Sequence, residues 1–134
     1  MKTAGYSGTP LVNKLGMKPG TRLTFLDAPA DFATLLGELP TGAKMSARGT
    51  LDFAIVFVTT RAKLEKRFGV LIDRLAPAGM IWVSWPKKTS GVATELTEDV
   101  VRDIGLRAGL VDVKVCAIDE TWSGLKFVRR LRDR

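Results

Sequence analysis

The longest continuous apolar run in the chain is Phe53 to Val58, which is rich in β-branched and aromatic residues. An apolar run without alternation is typical of a central strand that is covered on both faces of a sheet. The run is also far too short to span a bilayer. We therefore predict a buried parallel strand at this position.

Two segments behind this strand have the apolar spacing of amphipathic helices. Thr60 is placed to cap the first helix, which has apolar residues on one side at Leu64, Phe68, Leu71, Ile72 and Leu75. Thr97 is placed to cap the second helix, and Gly109 to end it. The buried side of that helix is predicted to consist of Val100, Val101, Ile104 and Ala108.

Shorter apolar segments complete the predicted order of elements. A short helix is predicted from Asp31 to Gly37, and further strands are predicted at Arg22 to Asp27, Met80 to Trp85, Val111 to Ile118 and Leu125 to Arg129. The turn from Asp119 to Gly124 is short enough only for an antiparallel pair. Asp112 and Lys114 alternate with valines, which is typical of a partly solvated edge strand.

One stretch does not fit this order. If residues 44–47 formed a parallel strand, only about five residues would remain to return along the sheet, whereas a parallel crossover needs a dozen or more. We therefore expect a short, irregular or antiparallel element at residues 42–52. The whole pattern predicts one α/β domain over residues 1–134, with a mostly parallel, doubly wound sheet and a C-terminal antiparallel hairpin. Residues 1–20 are predicted to form an N-terminal arm, and residues 130–134 a basic tail.

The composition excludes several kinds of chemistry. The chain contains no histidine and one cysteine, Cys116, so Ser-His and Cys-His nucleophile pairs are excluded and no metal site is expected. Cys116 lies in an apolar run and is predicted to be a core thiol. The N-terminus carries no apolar leader, which favours a cytoplasmic location without a membrane partner.

The net charge of +7 is concentrated at the C-terminus. Residues 126–134 contain one acid, Asp133, against five basic residues, namely Lys126, Arg129, Arg130, Arg132 and Arg134. Such a segment can bind nucleic-acid phosphates, or it can be a solvated chain end. The sequence leaves both interpretations open.

The second half of the chain resembles S-adenosylmethionine-dependent methyltransferases. The resemblance rests on a strand, a helix, the turn Leu75-Ala76-Pro77-Ala78-Gly79, the strand Met80-Ile81-Trp82-Val83-Ser84 and the terminal hairpin. It implies a Rossmann-like, methyltransferase-like fold. The family's glycine-rich cofactor turn is replaced by Asp27-Ala28-Pro29-Ala30-Asp31, and Met45-Ser46-Ala47-Arg48 contains no ribose-binding acid. No cofactor is therefore predicted.

Three further phrases resemble an uncharacterised bacterial family of unknown function. They are Gly5-Tyr6-Ser7-Gly8-Thr9-Pro10-Leu11, Trp85-Pro86-Lys87-Lys88-Thr89-Ser90-Gly91 and Asp119-Glu120-Thr121-Trp122-Ser123-Gly124. This resemblance spans nearly the full chain. It implies a fold and a bacterial origin without an assigned activity.

Candidate site residues follow the predicted strands at their carboxyl ends, where open α/β sheets bind ligands. They are Asp27, Trp85, Lys87, Lys88, Thr89, Ser90, Asp119, Glu120 and Trp122. The lysines and hydroxyls can hold a phosphate or carboxylate, or they can form a solvated loop. The tryptophans can stack a planar ligand or close the core, and the two acids can move protons or form the turn.

Three hypotheses about function follow from these residues. The first is a non-catalytic domain that binds a small anionic ligand or a protein partner on a methyltransferase-like scaffold. The second is an enzyme acting on a phosphorylated or carboxylated small molecule, with Lys87 and Lys88 placing the anion and Asp27, Asp119 or Glu120 moving protons. The third is charge-driven binding of nucleic acid by the C-terminus.

Overall fold

A computed structural model describes residues 9–134, and these build one six-stranded sheet in the order β2-β1-β3-β4-β6-β5. Its strands are β1 (Arg22–Leu26), β2 (Lys44–Met45), β3 (Leu51–Phe57), β4 (Leu75–Pro86), β5 (Leu110–Ala117) and β6 (Trp122–Arg129). Its helices are α1 (Leu11–Lys14), α2 (Phe32–Leu36), α3 (Arg61–Arg74) and α4 (Glu98–Arg107). The first four strands in this order are parallel, and β6 and β5 pair antiparallel, which confirms the predicted fold class.

The two faces of the sheet carry separate buried clusters. On one face, called here the α3 face, α3 and α4 pack through Leu64, Phe68 and Val101. On the opposite face, called the α1 face, α1 and α2 pack through Leu11 and Phe32. The chain therefore leaves β1 towards one face and β3 towards the other, as a doubly wound sheet requires.

The central strand β3 forms because its sequence is apolar on both faces. Phe53, Ile55 and Phe57 belong to the cluster on the α1 face, whereas Ala54 and Val56 belong to the cluster on the α3 face. All five side chains are buried. The prediction of a fully covered parallel strand is confirmed.

Both predicted N-caps are present. The Thr60 hydroxyl oxygen accepts a hydrogen bond from Lys63 N at 3.3 Å. The Thr97 hydroxyl oxygen accepts one from Val100 N, also at 3.3 Å. These bonds satisfy backbone donors that have no partner within the helix, so the sequence located the start of each helix correctly.

Two boundary predictions were wrong in detail. Ala108 is exposed, and the buried side of α4 instead includes Gly105. Strand β4 begins at Leu75 rather than Met80, because Leu75 pairs with Leu51 across an irregularity in the register. Leu75 to Gly79 is therefore the first part of the strand rather than a turn.

The element at residues 42–52 is short, as predicted, but it is parallel. Strand β2 pairs only with the first two residues of β1, Arg22 and Leu23. A strand of two residues advances so little along the sheet that the chain has almost no distance to return before β3. Arg74 holds the returning loop by donating hydrogen bonds to Ser46 O at 3.0 Å and Gly49 O at 2.8 Å.

Strand β5 forms the outer edge of the sheet, as its alternating sequence predicted. Its register with β6 shifts between Asp112 and Lys114, which places Val113 in a bulge. Val113 and Val115 are 54% and 48% exposed. A bulge and a charged residue on an edge strand hinder pairing with another chain.

The ends of the described chain are tied to the core. Leu11, Leu15 and Met17, in the segment predicted as an arm, are buried, whereas residues 1–8 of that arm lie outside the described residues. At the other end, Arg129 donates to Ile72 O at 2.7 Å and Leu75 O at 2.9 Å, which satisfies carbonyls at the end of α3. Within residues 9–134, no helix is long and apolar enough to cross a membrane.

Candidate functional site

The carboxyl ends of β1, β3 and β4 meet at one rim of the sheet because these strands are parallel neighbours. The turn between β5 and β6 reaches the same rim. Lys87 N, just after β4, donates a hydrogen bond of 2.7 Å to Thr121 O in that turn. The segments that carry the predicted site residues therefore lie together at this rim.

The crevice between β1 and β3 is the point where the chain switches from one face to the other. Asp27 follows β1 and adopts a positive φ of 58°, which is uncommon for a residue with a side chain. Its carboxylate accepts hydrogen bonds from Arg67 Nε at 3.0 Å and Arg67 Nη2 at 3.3 Å, and Lys63 Nζ lies 3.5 Å away. An ion pair therefore joins the end of β1 to α3 across this crevice.

The segment after Asp27 leads directly into α2. Phe32 N donates to Pro29 O at 3.0 Å, and α2 ends at Gly37 with φ of 78° after five helical residues. The predicted Asp31 cap position is present, but its side chain makes no capping hydrogen bond. Beyond β2, Ser46 Oγ donates to Arg48 O, and no acidic residue occupies this position.

A loop that the sequence did not single out closes the end of β3. The Thr59 carbonyl accepts hydrogen bonds from Thr94 Oγ1 and Glu95 N, both at 2.9 Å. The Glu95 carboxylate in turn accepts a bond of 2.9 Å from Arg61 N at the start of α3. Residues 94–96 therefore cover the carboxyl end of β3, and Glu95 binds one free backbone donor of α3, Arg61 N.

A cleft of about 320 Å³ lies beside the end of β4, on the α3 face. It is lined by Trp85, Pro86, Lys87, Lys88, Thr89, Leu96, Thr97, Glu98 and Ser123. The structure thus brings four predicted residues, Trp85, Lys87, Lys88 and Thr89, together with the start of α4 and with Ser123 of β6. Sequence reasoning missed this cleft, because Glu98 and Ser123 belong to other elements than the loop after β4.

The loop at the cleft is internally ordered. Lys88–Ser90 forms one turn of 3-10 helix. Ser90 Oγ donates to Lys87 O at 2.7 Å and accepts from Val92 N at 3.2 Å, so Ser90 holds the loop and does not line the cleft. Gly91 follows with φ of 78°, a conformation in which glycine is unstrained.

The cleft carries excess positive charge. Its one carboxylate, Glu98, is bound by Arg102, which also bonds Asp112 at 2.9 Å. These carboxylates raise the pKa of Arg102 above its ordinary value. Within residues 9–134, no ion pair includes Lys87 or Lys88. The lysine charges at the mouth of the cleft are therefore not neutralised by the fold.

The remaining candidates lie elsewhere on the rim. Asp119 Oδ1 accepts hydrogen bonds from Thr121 N and Trp122 N, both at 2.8 Å, so this carboxylate forms the turn, and its neighbour Glu120 is exposed. The Trp122 ring packs edge-to-face on Phe57 at 5.1 Å. Asp27, Asp119, Glu120 and Trp122 do not line the cleft.

Comparison with known proteins supports the fold. No family model matches the chain, and neither does any curated protein. A S-adenosylmethionine-dependent methyltransferase from Aquifex aeolicus is similar with a TM-score of 0.60 and 13% identity, over 87% of this chain and 86% of that one. Fibrillarin from Aeropyrum pernix, which has S-adenosyl-L-methionine natively bound, gives a TM-score of 0.58 and 13% identity over 92% and 70%. A methyltransferase from Pyrococcus furiosus gives 0.56 and 11% over 95% and 86%.

These similarities show that the chain has a methyltransferase-like, Rossmann-like fold, as the sequence resemblance implied. At 11–13% identity they show the fold alone. The resemblance to a bacterial family of unknown function stays a prediction.

Proposed function

We propose that this chain is a non-catalytic binding domain that keeps a methyltransferase-like scaffold, does not take S-adenosylmethionine, and holds a small anionic ligand in the cleft beside β4. The observation that carries the proposal is the ion pair of Asp27 with Arg67 and Lys63 in the crevice between β1 and β3. In doubly wound folds this crevice is the usual place for a bound ligand. Here the protein's own charged side chains occupy it.

The turn after β1 supports the same conclusion. A nucleotide-type ligand approaches the backbone of this turn closely, and glycine permits that approach because it has no Cβ. Ala28 and Pro29 each place a side chain there, and Pro29 also lacks an N–H that could bind the ligand. The position after β2 supplies no acid for a ribose. The residues present therefore do not fit S-adenosylmethionine in the manner of the fold.

The cleft beside β4 offers the groups that an anion needs. Lys87 and Lys88 supply positive charge that no carboxylate of the described chain takes up in an ion pair, and Thr89 and Ser123 supply hydroxyl groups. Trp85 forms part of the wall. A cleft of about 320 Å³ is of the size that accommodates a small molecule.

Calorimetric titration with S-adenosylmethionine tests the first half of this proposal. We expect no saturable binding at ligand concentrations up to about 1 mM. The binding free energy would then be less favourable than about −4 kcal/mol. The reason is that the cofactor would have to displace the Asp27 ion pair and pass the Ala28 and Pro29 side chains. A dissociation constant in the micromolar range would contradict the proposal.

Thermal shift measurements with a panel of phosphates and carboxylates test the second half. A ligand present at 100 times its dissociation constant should stabilise the wild type by about 2.7 kcal/mol. We expect Lys87→Ala and Lys88→Ala to lose most of this stabilisation, because each removes a charge at the cleft. Lys44→Ala, an exposed lysine on β2, is the matched control and should keep it. If an anion stabilised all of these proteins equally, the cleft would not be its site.

The two other hypotheses stay predictions. An enzyme would need a proton-transferring group at the cleft, and the one carboxylate there, Glu98, is bound by Arg102. Binding of nucleic acid by the C-terminus would rely on five cations, of which Arg129 already bonds two carbonyls. Truncation after Arg130 tests that hypothesis, since it removes Arg132 and Arg134 and leaves β6 intact.

A further inference from the structure

A second group of basic residues lies on the α1 face, away from the cleft. Lys114 of β5 and Lys126 of β6 are directly opposite each other in the antiparallel register, so their side chains leave the same face of the sheet. Trp82, opposite Lys126 on its other side, is buried in the cluster on the α1 face. The pair of lysines therefore lies on the α1 face beside the buried indole.

The chain after α1 brings a third lysine to this pair. The Lys126 ammonium lies against the backbone of Gly16, where a Cβ would be 3.6 Å from Nζ, and Lys114 Nζ donates a hydrogen bond of 3.1 Å to Lys14 O. Lys18 follows two residues after Gly16 and is close enough to repel the Lys126 charge. The ammonium groups of Lys114 and Lys126 therefore both lie against the chain at residues 14–16, and the charge of Lys18 acts on Lys126 from the same segment.

The fold does not neutralise these charges. No ion pair among residues 9–134 includes Lys18, Lys114 or Lys126. Burial lowers the pKa of the Lys126 ammonium below its ordinary value, and the positive charges of Lys114 and Lys18 lower it further. Like charges held together in this way destabilise the free protein, and a bound anion would relieve the repulsion.

We propose that Lys18, Lys114 and Lys126 form a binding site for a small phosphate-type anion that carries at least two negative charges. An ammonium group is a compact charge with three donors, and a phosphate group presents several acceptor oxygens and close to two charges at neutral pH. Lys114 and Lys126 lie side by side on β5 and β6, and the charge of Lys18 acts on Lys126 from the segment after α1. This arrangement matches one phosphate or pyrophosphate group better than the row of phosphates along a nucleic acid.

The pH dependence of binding follows from the lysine that is most buried. The charges that act on Lys126 are Lys114 on β5 and Lys18 after α1. Cys116 lies two residues after Lys114 on β5, with Lys14 near it, and burial raises the pKa of its thiol. The anion needs Lys126 protonated, so affinity should fall as the pH rises through the lowered pKa of Lys126. An ordinary lysine would lose its proton only at a higher pH, since its pKa in a model peptide is about 10.4.

Calorimetric titration with pyrophosphate and with inorganic phosphate tests the site on the full chain. We expect saturable binding to the wild type, and Lys126→Met and Lys114→Gln should each weaken it by about tenfold or more, since each removes a charge-assisted contact. Lys44→Met is the control for loss of net charge and should bind like the wild type. The double variant Lys87→Ala/Lys88→Ala, which lacks the lysine charges of the cleft, should still bind pyrophosphate, and adding Lys126→Met to it should weaken that binding by about tenfold or more, which separates this site from the cleft.

A second readout distinguishes a binding site from a structural role. The pKa of Lys126, followed by NMR of its side-chain carbon atoms, should rise when pyrophosphate saturates the protein. In the absence of anions, Lys126→Met should not lower the midpoint of thermal unfolding. Unchanged affinity in Lys126→Met, no binding at millimolar pyrophosphate, or tighter binding of duplex DNA than of pyrophosphate would each overturn the proposal.

Discussion

Replacing Trp82 with alanine is expected to lower the free energy of unfolding by about 3–5 kcal/mol, the usual cost of removing a large buried side chain. Trp82 is fully buried in the middle of β4, on the α1 face. Its indole Nε1 donates a hydrogen bond of 2.9 Å to Leu15 O. The substitution would open a cavity and leave that carbonyl without its partner. Urea denaturation measures the loss.

The variant Trp82→Phe separates these two contributions. Phenylalanine retains much of the ring volume but removes the donor to Leu15, so the loss should be smaller, on the order of 1–3 kcal/mol for the unsatisfied carbonyl. Equal losses for the two variants would show that ring volume contributes little at this position. That outcome would contradict the packing argument.

Replacing Gly105 with alanine is the second large effect. A Cβ at this position would lie 2.7 Å from Cδ1 of Phe127 and closer still to other atoms of that ring. Phe127 cannot retreat, because it is fully buried and packs edge-to-face on Phe68 at 5.4 Å. Overpacking of this kind typically costs about 1–3 kcal/mol, which exceeds the gain of up to about 1 kcal/mol from replacing glycine in a helix.

Gly69 of α3 is the matched control for this prediction. It is also a helical glycine, but it is exposed and a Cβ there would meet nothing within 4 Å. Gly69→Ala should therefore raise the free energy of unfolding by up to about 1 kcal/mol, opposite in sign to Gly105→Ala. A second check is the double variant Gly105→Ala/Phe127→Leu, in which the smaller side chain should recover part of the loss. Stabilisation by Gly105→Ala alone would contradict the prediction.

Gly69 and Gly105 both lie in predicted helices, and the sequence alone does not predict that alanine would have opposite effects at the two positions. Helical spacing predicted that α4 would bury one side, and Val101 and Ile104 are buried as expected. It could not predict that β6 would bring the Phe127 ring against the helix at Gly105. That contact depends on the position of a strand that follows α4 in the chain and pairs with β4.

The candidate site shows the same division. The sequence predicted that Lys87 and Lys88 follow a buried strand, because strand ends in α/β sheets are readable from apolar runs and the residues behind them. It did not predict that Thr97 and Ser123 would join them in one cleft. It also grouped Lys126 with Arg129 as parts of a basic segment. In β6 these residues are three apart, on either side of the shift in register with β5, and they make different contacts.

By itself, the sequence determined the local elements of this protein. The apolar run of β3, the capping residues Thr60 and Thr97 and the Asp119 turn act over a few residues, and they are therefore encoded where they occur. Only the tertiary structure decided which charges meet. The Asp27 ion pair with Arg67, the cleft beside β4 and the convergence of Lys114 and Lys126 all join segments remote in the chain. Their contacts depend on strand order and register, which local spacing does not specify.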